Sequence, residues 1–129
     1  MRRYFLFLLC LMTFCTPTAT FMRTGIEYVP KTKTPQEIAV YISPNMPEKN
    51  CEIVGTIIVS PNENVRNQEA YLNELRKKAA EAGVDGVLNV EIKELPKKQT
   101  QGGCISGVPY YYQENYNLYE IKGNAFVWK

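Results

Sequence analysis

Cysteine carries most of the reactive chemistry in this 129-residue chain, which has four of them and no histidine. Cys10 lies inside the apolar run "YFLFLLCLMTF" (4–14) and reads as one more apolar residue of it. Cys15 follows that run directly, with polar Thr16 behind it, where a bacterial lipoprotein carries its lipidated cysteine. The residue before it is Phe14, although a lipobox usually has a small residue there. The small residues of "TPTAT" (16–20) offer ordinary signal-peptidase cleavage as the alternative. Cys51 and Cys104 fall in the remainder, and an oxidising compartment makes a Cys51–Cys104 disulfide the default. Two thiols without histidine do not complete a tetrahedral metal set. No metal or other cofactor is therefore expected.

Other chemistry is thinly represented. Hydrolytic triads lean on histidine, the one side chain whose unperturbed pKa lies near neutrality. The carboxylates Glu27, Glu37, Glu48, Glu52, Glu63, Glu69, Glu91 and Glu94 are scattered along wet faces and loops. The stretch "RKKAAEAGVDGVLNV" (76–90) has a glycine-bracketed turn between a helix and a strand. A phosphate cradle needs such glycines at a helix N-terminus, but Gly83 sits where a helix C′ residue belongs. Asp85-Gly86 then reads as turn chemistry. A non-enzymatic protein is expected.

The elements follow from periodicity. Arg2-Arg3 and the apolar run form a secretory signal over 1–15, too short to span a bilayer, which needs about 20 residues. Residues 16–35 mix Thr, Pro and Lys without period and read as a flexible tether. The folded domain is expected over 36–129. "EIAVYI" (37–42) and "CEIVGTIIVS" (51–60) read as strands, the second more central because it is richer in β-branched residues. "PNEN" (61–64) offers helix N-caps. Gln68, Tyr71, Leu72, Leu75, Ala79 and Ala82 share one face of a helix over about 66–82.

"GVLNVEIKE" (86–94) is the third strand, with Leu88, Val90 and Ile92 facing inward. "YNLYEIKGNAFVWK" (116–129) is the fourth, with Tyr119, Ile121, Gly123, Ala125 and Val127 on one face. The fold expected is a two-layer α+β sandwich, β-β-α-β-β, one helix covering one face of a mixed four-stranded sheet. The strands flanking the helix should run parallel, and the last two should pair antiparallel. Residues 95–117 are then a loop long enough to suggest function. It holds Cys104, Tyr110, Tyr111, Tyr112 and Tyr116. Parallel flanking strands place Cys51 and Cys104 about 25 Å apart, unless this loop folds back over the sheet.

Charge narrows the partners. The net +2 is carried by Arg2 and Arg3, so the chain after the signal is neutral. A nucleic-acid binder needs a basic excess to displace condensed counterions, and none is expected here. "KTK" (31–33) and "KELPKK" (93–98) read as solvated basic loops.

The Ala-rich helix, the turn "GVDGV" (83–87) and the last strand's "KGNAFV" (122–127) resemble the RcsF-like and YbjQ-like group of small bacterial envelope proteins. The similarity covers about residues 37–128, with Val84 and Gly86 replacing two alanines of a "GADAV"-like turn. It implies an envelope protein, outer-membrane-anchored or otherwise periplasmic or secreted. The group's stress sensor has two disulfides, so at least one bridge must be absent here. The chain is therefore expected to bind, sense or support structure in the envelope. It would be anchored in the membrane through Cys15 and would meet a protein partner. Tyrosine enrichment at hot spots makes Tyr110, Tyr111, Tyr112 and Tyr116 candidate contact residues, with Tyr41, Phe126 and Trp128 beside them on the open sheet face.

Overall fold

A computed structural model describes residues 16–129. The signal segment, Cys10 and Cys15 lie outside the described residues. One helix packs on a five-stranded mixed sheet. The elements are β1 (Thr18–Arg23), β2 (Ala39–Ile42), β3 (Cys51–Ser60), α1 (Gln68–Ala82), β4 (Gly86–Ile105) and β5 (Val108–Trp128). Their order across the sheet is β1-β3-β5-β4-β2.

The expected α+β class with one packed helix holds, but the strand count and order do not. β3 and β4 run parallel, as two strands either side of a crossover helix should, yet β5 lies between them and is antiparallel to both. β2 pairs parallel to β4 on the far edge. The fifth strand comes from the segment read as a tether. In β1, Ala19 and Phe21 turn inward while Thr18 and Thr20 face water, and the strand pairs antiparallel with β3 from Thr18↔Ser60 to Arg23↔Gly55. Gly55 permits this, because a Cβ there would sit 2.4 Å from the Phe21 ring.

Helix α1 starts at Asn67, whose Oδ1 accepts from the Glu69 amide at 3.0 Å, rather than at an asparagine of "PNEN". It ends at Gly83, whose φ of 73° gives the left-handed cap. Tyr71, Leu75 and Ala79 on its inner face are fully buried against Val54, Ile57, Val59, Val87, Val90, Ile121 and Ala125. The Tyr71 hydroxyl donates to the Val65 carbonyl at 2.6 Å, so a buried polar group is satisfied.

Asn89 has a φ of 56° and marks a bulge in β4 between Leu88 and Glu91. The bulge interrupts alternation. Val87 and Val90 therefore belong to the helix-side core, whereas buried Leu88 lies outside that cluster, contrary to the simple period-two expectation.

Residues 24–38 cross the C-terminal end of α1 as an ordered strap. The Tyr28 hydroxyl donates to the Ala82 carbonyl at 2.6 Å, and the Lys31 amide donates to the Gly83 carbonyl at 3.0 Å. Lys31 and Lys33, read from sequence as solvated, both reach the buried carboxylate of Asp85.

Candidate functional site: two aromatic surfaces

The long segment expected as a loop is a two-stranded arm. β3 stops pairing with β5 at Val59↔Ile121, and β2 stops pairing with β4 at Ile42↔Val90. Beyond those points β4 and β5 have only each other, in unbroken antiparallel register from Ile92↔Ile121 to Ile105↔Val108. That ribbon extends about 40 Å at the usual rise per residue. Ser106 and Gly107 close it with φ values of 52° and 81°, the two positive angles of a type I′ hairpin turn.

Tyrosine and glycine face each other across the arm. Gly102 pairs with Tyr111 and Gly103 with Tyr110. A Cβ on Gly103 would lie 2.7 Å from Tyr110 Cζ, and one on Gly102 would lie 3.2 Å from Tyr111 Cε1. The rings thus cover bare backbone on the partner strand. Alternation puts Tyr110 and Tyr112 on one face and Tyr111 on the other. Tyr110 and Tyr112 lie nearly parallel with centroids 6.0 Å apart.

The root of the arm is tied to the loop before α1. The Arg66 guanidinium sits 3.9 Å over the Tyr116 ring, donates to Gln99 Oε1 at 2.8 Å and approaches Glu114 at 3.8 Å. The Tyr116 hydroxyl donates to Glu63 Oε2 at 3.0 Å. That hydrogen bond to a carboxylate holds the phenol above its ordinary pKa.

Tyr41, Phe126 and Trp128 form a separate surface. Phe126 lies 6.0 Å from Tyr41 and 4.8 Å from Trp128, the latter edge-to-face. Tyr41 and Trp128 join Met46, Glu48 and Lys49 around an open depression of about 480 Å³. Met46 is 61 % exposed there. The expected neighbourhood of Tyr110, Tyr111 and Tyr112 with this cluster is therefore overturned. Strand pairing carries the tyrosines about 50 Å along β5 from Trp128.

The cysteines are corrected on the same ground. Cys51 and Cys104 are both free. Cys51 pairs with Trp128 where β5 ends, and Cys104 pairs with Pro109 near the tip of the arm. About 60 Å of strand separates them, so no bridge forms within one chain.

Asp85 is the functional-looking residue that sequence reading treated as punctuation. It is 2 % exposed. Its Oδ2 accepts from the Trp128 amide at 2.8 Å and from Lys31 Nζ at 3.0 Å, and its Oδ1 lies 3.2 Å from Lys33 Nζ. Burial pushes the carboxyl pKa up, but the Trp128 amide and the two ammonium groups outweigh it, and the group titrates below its ordinary value. This arrangement has no open face for a substrate. It joins the strap to the end of β5.

Comparison of the chain with protein-family models, curated proteins and solved structures returned no match in any of the three.

Proposed function

We propose that this chain is a non-enzymatic, exported lipoprotein of the bacterial cell envelope, anchored through Cys15, which works as a binding module through protein–protein contacts. The observation that carries this reading is the Tyr41–Trp128 depression. Its aromatic walls, exposed Met46 and charged rim of Glu48 and Lys49 have the anatomy of a protein contact, an apolar centre with a polar margin. The RcsF-like grouping is kept as part of the proposal. It is supported by the placement of the two stretches that suggested it. "GVDGV" and "KGNAFV" are cross-strand neighbours through Gly86↔Phe126 and Val87↔Ala125. A Cβ on Gly123 would meet Val87 Cγ1 at 2.5 Å.

Incorporating a photo-crosslinker at Tyr41 in cells tests the reading. A discrete covalent protein adduct is expected, lost on Trp128→Ala; crosslinking to no protein overturns it. Phe14 before Cys15 favours a second reading, a soluble periplasmic or secreted binding protein of the same fold. Palmitate labelling of wild type but not of Cys15→Ser supports the anchored form, and no label on either supports the soluble one.

A further inference from the structure

The exposed side chains of the arm change character in a fixed order from its tip. Ile105 and Val108 flank the turn as cross-strand partners and are 66 % and 65 % exposed. Tyr110, Tyr111 and Tyr112 come next, about 7–13 Å behind them, and stand on both faces of the ribbon. Gln99, Thr100, Gln101 and Gln113 follow, polar but neutral. No charged residue occurs over 99–113, and the first charges, Lys98 and Glu114, stand about 20 Å behind the tip. We propose that the tip of the arm inserts into the surface of a lipid bilayer, with Ile105 and Val108 at the acyl boundary and the three tyrosines at headgroup level.

Each step of that order matches a layer of the bilayer. Aliphatic side chains gain by leaving water. Tyrosine has an apolar ring and a hydroxyl that needs a polar partner, which is why it collects at membrane–water interfaces. An interfacial element typically sinks about 5–10 Å into the headgroup and acyl boundary. The spacing between the aliphatic pair and the tyrosines fits that depth. Insertion stops there because both edges of the ribbon are open, and unpaired strand groups are not tolerated in hydrocarbon. At this depth only the closed turn and its nearest pairs leave water.

The charge pattern separates this from electrostatic adsorption. A tip without charge gains nothing from anionic lipid, so its insertion is insensitive to salt. Adsorption through Lys97 and Lys98 would instead weaken as salt screens it. The tip lies at the opposite end of β5 from the Tyr41–Trp128 depression, so a membrane contact here leaves the proposed protein contact free.

The test places an environment-sensitive fluorophore on Cys104, two residues from the turn, in the mature chain carrying Cys51→Ser, where Cys10 has left with the signal and the Cys15 thiol is blocked by its lipid. The protein is reconstituted into phosphatidylcholine vesicles containing spin-labelled lipid. A control carries the fluorophore at Lys49→Cys, with Cys51→Ser and Cys104→Ser, beside the far depression. Expected is blue-shifted, several-fold quenched emission at the tip, none at the control, and no change with salt or with added phosphatidylglycerol. Ile105→Asp with Val108→Asp should abolish the quenching while leaving the circular dichroism unchanged. Because tip and control share one anchor, failure of lipidation affects both equally and is read separately. Tip emission as water-exposed as the control overturns the proposal. So does quenching that requires anionic lipid at low salt, or tip protection that appears only when a protein is crosslinked to it.

Discussion

The Asp85 carboxylate, closed off from solvent, lies 3.2 Å from the Lys33 ammonium, and the two residues belong to segments with no sequence proximity. With Lys31 and the Trp128 amide, this contact fixes the strap, the start of β4 and the end of β5 to one point. Removing one partner from a buried ion pair strands the other, which is costlier than losing an exposed pair. Asp85→Asn is expected to destabilise the domain by about 2 kcal/mol, and Lys33→Ala by less, because a lysine remains. The pH dependence has a defined sign. The folded carboxyl titrates below the unfolded value of about 3.9, so the folded state binds fewer protons between those two values. The stabilisation is therefore complete above about pH 5 and lost as pH falls through the folded pKa. Denaturant unfolding of wild type and Asp85→Asn from neutral to acid pH should show the difference between them closing only at the acid end.

Two glycines that face large side chains should respond to alanine differently. A Cβ on Gly123 would lie 2.5 Å from Val87 Cγ1 and 3.1 Å from Val90 Cγ2, in the fully buried core. Those side chains have nowhere to go, and Gly123→Ala should cost about 1–3 kcal/mol as overpacking. On the arm, Gly103→Ala meets only the exposed end of the Tyr110 ring, which can swing into water. It should change domain stability by under about 0.5 kcal/mol. Equilibrium unfolding of both variants checks the contrast, and equal losses would show that the arm and the core unfold as one unit.

The helix, β3 and the start of β4 were legible because each buries one face against a contiguous core. Tyr71, Leu75 and Ala79 recur at helical spacing, and β3 carries a run of β-branched residues. The arm carries no such pattern. It has no core to face, so its side chains lack the apolar alternation by which a half-buried strand is recognised. Its signal was instead mirror symmetry about Ser106-Gly107, with Gly102-Gly103 on one side and Tyr110-Tyr111 on the other. That symmetry has meaning only after the turn is placed. β1 escaped notice because it is a short edge strand among prolines and threonines. Asp85 escaped because local turn chemistry already accounted for it, while its lysine partner Lys31 lies 54 residues away. Of the seven aromatic candidates, Tyr41, Phe126 and Trp128 do cluster, whereas strand extension separates the four of the arm.

At the arm root the Tyr116 phenol reports on its neighbours. Its hydrogen bond to Glu63 holds its pKa up, and the Arg66 charge opposes that in part. Glu63→Gln should bring the titration back toward the ordinary value of about 10. Arg66→Ala should move it further up, since a cation that favours the phenolate is removed. Ultraviolet absorbance titration, with Tyr116→Phe to assign the transition, measures both. Shifts in the same direction for the two variants would contradict the geometry.

Thiol accessibility follows from the two strand positions. Cys104 is exposed near the arm tip, and Cys51 is half-buried where β3 begins beside Trp128. Both are free, and the pairing register holds them at opposite ends of β5. Alkylation of the native, unreduced protein should therefore add two groups within residues 16–129, with Cys104 reacting first and Cys51 more slowly. Exposure sets that order, since reaction requires the reagent to reach the thiolate. Mass spectrometry on a time course reads both steps. A monomer that takes up no label until reductant is added would require the arm to fold back onto the sheet, against the continuous pairing from Ile92↔Ile121 to Ile105↔Val108.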